Sequence, residues 1–278
     1  MSTLAIPSTP VLNRLARRAR VVPGLARLAA TGRDMLDATF RDDPGSVAVP
    51  GIRRPVRVKL VRSKEEYEQV FRAVASKYQA SGYEAATSKS FRFTPYHALP
   101  ETAVFAAKLH NDVVATLSAV SDNAVLGLPM EGIYPGEINA LRQQGRKLVE
   151  VTSLADRDLS MREFVPVFVT LMGVMAQFAS RQGADTWVIT VNPRHRLFYQ
   201  KVMGFVSIGP QRAYPAVQNH PAEAFAVTIP LLAANSPAMH EQMFGETLPE
   251  SLLAHSSMSV DAARSRQRAS KLARRERA

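Results

Sequence analysis

Asn192-Pro-Arg-His-Arg-Leu-Phe-Tyr-Gln-Lys-Val-Met-Gly-Phe205 decides the fold of this chain. It follows Thr186-Trp-Val-Ile-Thr-Val191, whose β-branched and aromatic side chains predict a buried strand. Pro193 suits the first position of a helix, where its missing N–H does no harm. Asn192 suits the N-cap, its side chain accepting from an otherwise unpaired backbone donor. Leu197, Phe198, Tyr199 and Met203 give that helix an apolar face, and Gly204 stands where a helix ends. A new strand starts at Phe205. The unit is therefore strand, capped helix, glycine, strand.

Upstream, Val56-Arg-Val-Lys-Leu-Val61 alternates as a strand does. Ser63 with Glu66 forms a capping-box pattern, and Tyr67, Val70, Phe71, Val74 and Tyr78 make the apolar stripe of a helix that Gly82 ends. Residues 83–102 read as irregular. Apolar runs at 103–109 and 113–120 flank His110-Asn-Asp112 and predict a β-hairpin. A Gly/Pro-marked segment from Gly127 leads to a helix from Pro135 to Gln144, then a strand at 148–154 and a long apolar helix at 164–178. Downstream of the unit a last strand falls near 224–229. This order gives an α+β fold with one mixed sheet. Residues 1–55 read as a basic N-terminal segment and linker, 56–232 as the domain, and 233–278 as a C-terminal appendage with a basic tail.

The net charge of +11 suggests a nucleic-acid partner until it is located. Residues 1–33 carry six arginines and no acid, and residues 261–278 carry seven bases against Asp261 and Glu276, so residues 34–260 are neutral overall. The body has no basic field for phosphate, and no specific nucleic-acid partner is expected. Leu12, Leu15, Ala16, Ala19 and Val22 fall at helical spacing opposite the arginines, as in a helix lying on a membrane surface or docked on the domain. Pro7, Pro10 and Pro23 interrupt any secretory-type apolar run, and no apolar run reaches the ~18 residues of a membrane span. The chain has no cysteine, which excludes disulfides and acyl transfer through a cysteine thioester. The six histidines show neither H-x-H nor H-E-x-x-H spacing, so no metal site is expected.

Over residues 56–232 the element order and the 192–205 unit resemble the GNAT acyltransferase superfamily, in which this unit splays two neighbouring strands around the pantetheine arm of an acyl thioester. Within it the chain is similar to the bacterial long-chain N-acyl amino acid synthases (FeeM-like), relatives of the acyl-homoserine lactone synthases. The resemblance is carried by Leu128-Pro-Met-Glu-Gly-Ile-Tyr134, Glu137-Ile-Asn-Ala-Leu-Arg-Gln-Gln-Gly-Arg146, Leu148-Val-Glu-Val-Thr-Ser-Leu-Ala155, Asn192-Pro-Arg-His195 with Phe198-Tyr199, and Tyr214-Pro215. It implies a GNAT-like fold, with splayed strands and helices on both faces of the sheet. It implies transfer of a fatty acyl group from acyl carrier protein to the amine of an amino acid in the cytoplasm, with no permanently bound cofactor. The basic ends offer a contact with the inner face of the membrane.

Glu150 is the candidate base. An α-amine is mostly protonated at neutral pH and must lose a proton before it attacks a thioester. Strand alternation places Glu150 and Thr152 on one face and Val149, Val151 and Ser153 on the other. A carboxyl between two valines is poorly solvated, which raises its pKa and makes it a better base; an ordinary edge glutamate is the alternative. The resemblance implies that Tyr199 protonates the leaving thiolate, against the alternative of a packed aromatic. It gives Asn192 and His195 contacts to the pantetheine arm, and makes Thr152, Leu154 and Ala155, with Met130 and Tyr134, the binding surface for the acyl thioester. Backbone N–H groups near Leu154 and Ala155 are the candidates for an oxyanion hole. The acyl chain is expected beneath residues 127–134 and against the helix 164–178. Arg142, Arg146, Lys147, Arg194, Arg196 and Lys201 flank the cleft as a docking rim for an acidic carrier protein.

Two departures narrow the chemistry. Lactone synthases resemble Glu-x-Ser/Thr-Arg where this chain has Ser153 in the last place, and their N-terminal tryptophan has no counterpart, the single Trp being Trp187. Coenzyme A users in the superfamily carry a glycine-rich turn before the central helix; here that junction is Ala155-Asp-Arg-Asp-Leu-Ser-Met-Arg-Glu163, whose Asp156 and Asp158 repel a diphosphate. Two rivals remain open at this stage, a coenzyme A-dependent transferase acting on a small amine and a non-catalytic lipid-binding or membrane-associated protein.

Overall fold

The computed structural model describes residues 45–85 and 91–254. The N-terminal arginine-rich helix and the basic C-terminal tail expected from sequence lie outside the described residues. In chain order the elements are β1 (Ser46–Ala48), β2 (Val56–Leu60), α1 (Lys64–Ala80), β3 (Ala103–Leu109), β4 (Asp112–Ser121), α2 (Pro135–Gln143), β5 (Leu148–Asp156), α3 (Met161–Arg181), β6 (Thr186–Val191), α4 (Arg196–Lys201), β7 (Val206–Tyr214), β8 (His220–Thr228), α5 (Ile229–Asn235), α6 (Pro237–Phe244) and α7 (Glu250–Leu253). Short 3-10 turns stand at Pro95–Ala98, Pro129–Gly132, Pro193–His195 and Pro215–Val217.

The strands form one eight-stranded sheet in the order β1-β2-β3-β4-β5-β6-β8-β7. Every neighbouring pair is antiparallel except β5–β6. The fold is α+β with a mixed sheet and helices on both faces, as the sequence predicts. β1 pairs with β2 from within the stretch read as linker.

Each face is covered by elements whose start signals are local. On one face α1 begins with the expected capping box, the Ser63 hydroxyl accepting from the Glu66 N–H at 3.2 Å. Its stripe of Tyr67, Val70, Phe71, Val74 and Tyr78 packs on Val104, Ala106 and Ala155. Beside it the 3-10 turn Pro129–Gly132 and helix α2 bring Leu128, Met130, Tyr134 and Ile138 onto Val120, Leu148 and Val188. On the other face α3 buries Phe164, Val167, Phe168, Leu171 and Met175 against Val149, Val151, Ile189 and Phe105. At 21 residues α3 is long and apolar enough to cross a bilayer, but most of it is buried in the protein.

Part of the segment read as an appendage packs into this core. The backbone of Met243 packs on Gly173 of α3, where an added Cβ would make ordinary contact, 3.6 Å from the Met243 Cα. The Gln177 amide donates to the carbonyls of Met243 (2.7 Å) and Glu246 (2.8 Å) and accepts from the Leu248 N–H at 2.9 Å. Met239, Met243, Leu252 and Leu253 belong to the same buried cluster as α3.

Candidate active site

The site is built where the parallel pair comes apart. β5 and β6 are joined at only three residue pairs, Leu148↔Thr186, Val149↔Trp187 and Glu150↔Val188, although β5 runs on to Asp156 and β6 to Val191. Beyond Glu150 the strands diverge and leave a wedge whose two edges lack each other's ladder. The 192–205 unit explains why β6 stops there. The Asn192 side chain accepts from the Arg194 N–H at 3.2 Å, and the chain turns into the 3-10 turn and α4. Gly204 closes the unit at φ +71°. Phe198, Tyr199 and Met203 are buried as expected, whereas Leu197 is 39% exposed and does not join them.

A second irregularity lies on the β4 side of β5. The register shifts between Thr116 and Ser118, so that Ser153 and Leu154 together stand opposite Leu117. Ser153 takes the left-handed conformation, φ +54°. This is a β-bulge, and it breaks the alternation beyond Ser153. Leu154 joins the Val149–Val151 face and Ala155 returns to the other. The bulge re-aims the backbone at Leu154 and Ala155, both fully buried, where the wedge is open.

Glu150 sits at the tip of the wedge, 0% exposed. Its Oε2 accepts from the Met130 N–H at 2.8 Å, and its Oε1 has no hydrogen-bond partner. Burial pushes its pKa up to about 8, outweighing the Met130 N–H, which favours the charged form. Met130 is held in turn by its loop. The Tyr134 hydroxyl lies 2.8 Å from Pro210 O and 2.7 Å from Ala222 O and shares its proton between them, and the Tyr214 hydroxyl donates to Pro129 O at 3.2 Å. Arg212 stacks on the Tyr134 ring at 4.6 Å and pairs with Glu137 at 2.6 Å. Met130 and Tyr134 therefore act on the site by clamping it to β7 and β8. A surface groove of about 610 Å³ between α2 and β7 lies outside this clamp and is lined by Leu141, Ile208 and Arg212 rather than by the wedge residues.

The other expected residues divide. The hydroxyls of Thr152 and Tyr199 are buried with no partner, as is that of Thr190 on β6. Burial holds the Tyr199 phenol well above its usual pKa, so it stays protonated. Tyr199 belongs to the α3 side of the sheet, while Met130, Val120 and Val188 around Glu150 belong to the other side. The expected walls of the acyl tunnel, residues 127–134 and helix α3, likewise lie on opposite faces. Asn192 is engaged as a cap, and His195 is buried with its Nε2 3.0 Å from the Arg194 Nε.

The docking rim is only partly available. Arg142 is bound by both Asp122 (2.6 Å) and Glu131 (2.5 Å), contacts that drive its pKa upward, and it ties α2 to the turn before it. Arg146, Lys147, Arg194, Arg196 and Lys201 are exposed, with Arg194 reaching the Tyr83 hydroxyl at 3.1 Å and Arg196 pairing with Glu223 at 3.2 Å. Sequence reasoning missed Tyr96, His97, Ser118 and Thr190. The first two come from the stretch read as irregular. Tyr96 is near enough for the Glu150 charge to add to the burial that raises its pKa.

Comparison with known proteins identifies the family. The family model for the N-acyl amino acid synthase FeeM matches residues 69–228. The solved structure of FeeM, an N-acyl amino acid synthase from uncultured soil microbes, superposes with a TM-score of 0.58 at 30% identity, covering 66% of this chain and 96% of that one. The acyl-homoserine lactone synthase LasI shares the fold at a TM-score of 0.50 and 12% identity, covering 70% of this chain and 96% of the other. No curated protein sequence matches. The family model covers more than half of the chain, and the chain therefore belongs to the FeeM family of N-acyl amino acid synthases.

Proposed function

We propose that this acyltransferase moves a long fatty acyl group from the phosphopantetheine thioester of an acyl carrier protein to the α-amine of an amino acid by direct single displacement. The observation that carries the proposal is Glu150, fully buried at the wedge with one carboxyl oxygen bound by Met130 and the other unpaired. A carboxyl held near neutral pKa can take the proton of an ammonium and leave a competent nucleophile. The amine nitrogen then attacks the thioester carbon, the C–S bond breaks, the N–H proton lost from the new amide passes directly or through water to the departing thiolate to give a thiol, and Glu150 returns the proton it took to solvent. The Tyr199 phenol, kept neutral by burial, is a poor acid toward a thiolate but a good hydrogen-bond donor to the departing sulfur. The chain has no cysteine to carry an acyl intermediate, which supports single displacement.

The start of α3 bears on the donor. Its N-terminal turn carries its own anion, Glu163, whose Oε2 accepts from the Ser160 N–H at 3.0 Å and the Ser160 hydroxyl at 2.7 Å, with Arg54 at 3.5 Å. A diphosphate approaching that turn meets the Glu163 carboxylate and the exposed Asp158, itself paired with Arg157 at 3.4 Å. A carrier-protein arm, with its single phosphate, does not need this turn, and exposed Arg146, Arg194 and Arg196 suit an acidic carrier. The basic ends suit a cytoplasmic protein working at the inner face of the membrane.

The test offers purified protein the same acyl chain on carrier protein and on coenzyme A, with the twenty standard amino acids as acceptors, and reads fatty amides by mass spectrometry. Carrier-bound donor is expected to win by at least tenfold in kcat/KM. Equal or better turnover of acyl-CoA overturns the donor assignment, and unchanged turnover by Glu150→Gln overturns the base.

A further inference from the structure

Two rows of side chains cross the wedge on the Glu150 face. One is Val120–Glu150–Val188–Ala226, each a Cα partner of the next. One step along the strands the second row is Ser118–Thr152–Thr190–Ala224. Ser118 pairs with Thr152 and Thr190 with Ala224, while Thr152 and Thr190 face each other across the opening where the β5–β6 ladder has ended. Val120, Val188, Ala224 and Ala226 all belong to the cluster on this face, which fixes the direction of both rows. Ser118, Thr152 and Thr190 are 0%, 1% and 1% exposed, and the hydroxyls of Thr152 and Thr190 have no partner.

The direction of the Ser118 proton follows from its neighbour. The Thr94 backbone N–H, which can only donate, lies 3.2 Å from His97 Nδ1, so that nitrogen is the acceptor and the ring proton sits on Nε2. His97 Nε2 is 3.2 Å from Ser118 Oγ and donates to it. The Ser118 hydroxyl has thus accepted from His97 and turns its own proton elsewhere. Three buried hydroxyls at one level of the wedge, one of them with its acceptor side already engaged by His97 and its proton free to donate, form a donor set for an anion.

We infer that the Ser118–Thr152–Thr190 row binds the α-carboxylate of the acceptor amino acid while its amine meets Glu150 Oε1, with His97 as a positioning residue for the Ser118 proton. The rows lie roughly 6.6 Å apart along the strands. An amine and a carboxylate on one carbon, each reaching out by a hydrogen bond of about 2.8 Å, span that interval. Recognition of the carboxylate makes the enzyme select α-amino acids over simple amines. This inference rests on the acyl-transfer function proposed above.

The experiment runs each of the twenty amino acids beside its α-carboxamide, with wild type, Ser118→Ala, Thr190→Val, Thr190→Ser and His97→Gln. Wild type prefers acid to amide. Ser118→Ala, Thr190→Val and His97→Gln each raise KM for the acid by roughly tenfold to a hundredfold, with kcat within twofold and the amide unaffected. Thr190→Ser, which keeps the hydroxyl, stays near wild type. An equal fall in kcat for acid and amide overturns the inference and assigns the hydroxyls to the thioester oxygen. No change in any variant also overturns it. If wild type acylates no acceptor, the function proposed above falls separately. The carboxylate site is then read from the thermal shift that free amino acid and free amide give wild type and Thr190→Val, and equal shifts for acid and amide overturn it.

Discussion

A carboxyl with one oxygen held and the other empty is costly; an unpaired buried polar atom costs about 1–3 kcal/mol, and a charge more. Glu150 meets that cost by holding its proton to about pH 8. Because its pKa rises on folding, the stability it permits is fully present below the unfolded value of 4.5 and is lost as pH climbs through about 8. Glu150→Gln should therefore be relatively more stable than wild type at alkaline pH, and urea titrations at pH 6 and pH 9 check the sign. In the active enzyme kcat/KM should rise with pH through about 8, and Glu150→Gln should retain less than about one hundredth of the activity, consistent with the range for a positioned base. Glu150 and Thr152 were legible because a polar pair at alternate positions of an apolar strand stands out. Thr190 was not, since β-branched threonine is an ordinary strand residue and only the row across β4, β5 and β6 gives it a meaning. Ser118 and His97 were hidden for the same reason, being 21 residues apart and joined only in three dimensions.

Elements were legible wherever period and caps agreed, as in α1, α3 and the 192–205 unit. The turns that aim the site were not. Ser153 looks like any strand residue until its register with Leu117 is known, and residues 128–134 are fixed by partners 76 to 88 residues away. That clamp gives an element-scale prediction. A Cβ on Gly209 of β7 would lie 2.8 Å from the Tyr134 ring, so Gly209→Ala must displace Tyr134. It should cost about 1–3 kcal/mol of stability, as overpacking does. It should also lower kcat, since the turn that carries the Met130 N–H moves with Tyr134. Thermal unfolding and steady-state kinetics check the pair of effects.

At the scale of the whole molecule, the C-terminal residues misled. Residues 233–254 show weak periodicity and precede a basic run, so their attachment to α3 was invisible until Gly173 and Gln177 met Met243. Met243→Ala should destabilise the protein by about 2–5 kcal/mol, and chemical denaturation measures it. The charge distribution was legible, because it depends on position along the chain and not on contacts. Two antiparallel blocks, β1 to β5 and β6 to β8, meet through three pairs of residues and whatever packs above and below them. Any occupant that offers amide groups to the open edges stitches the two blocks together. Amide hydrogen exchange along β5 and β6 should therefore slow when donor is loaded, and the resting enzyme should be the looser of its two forms.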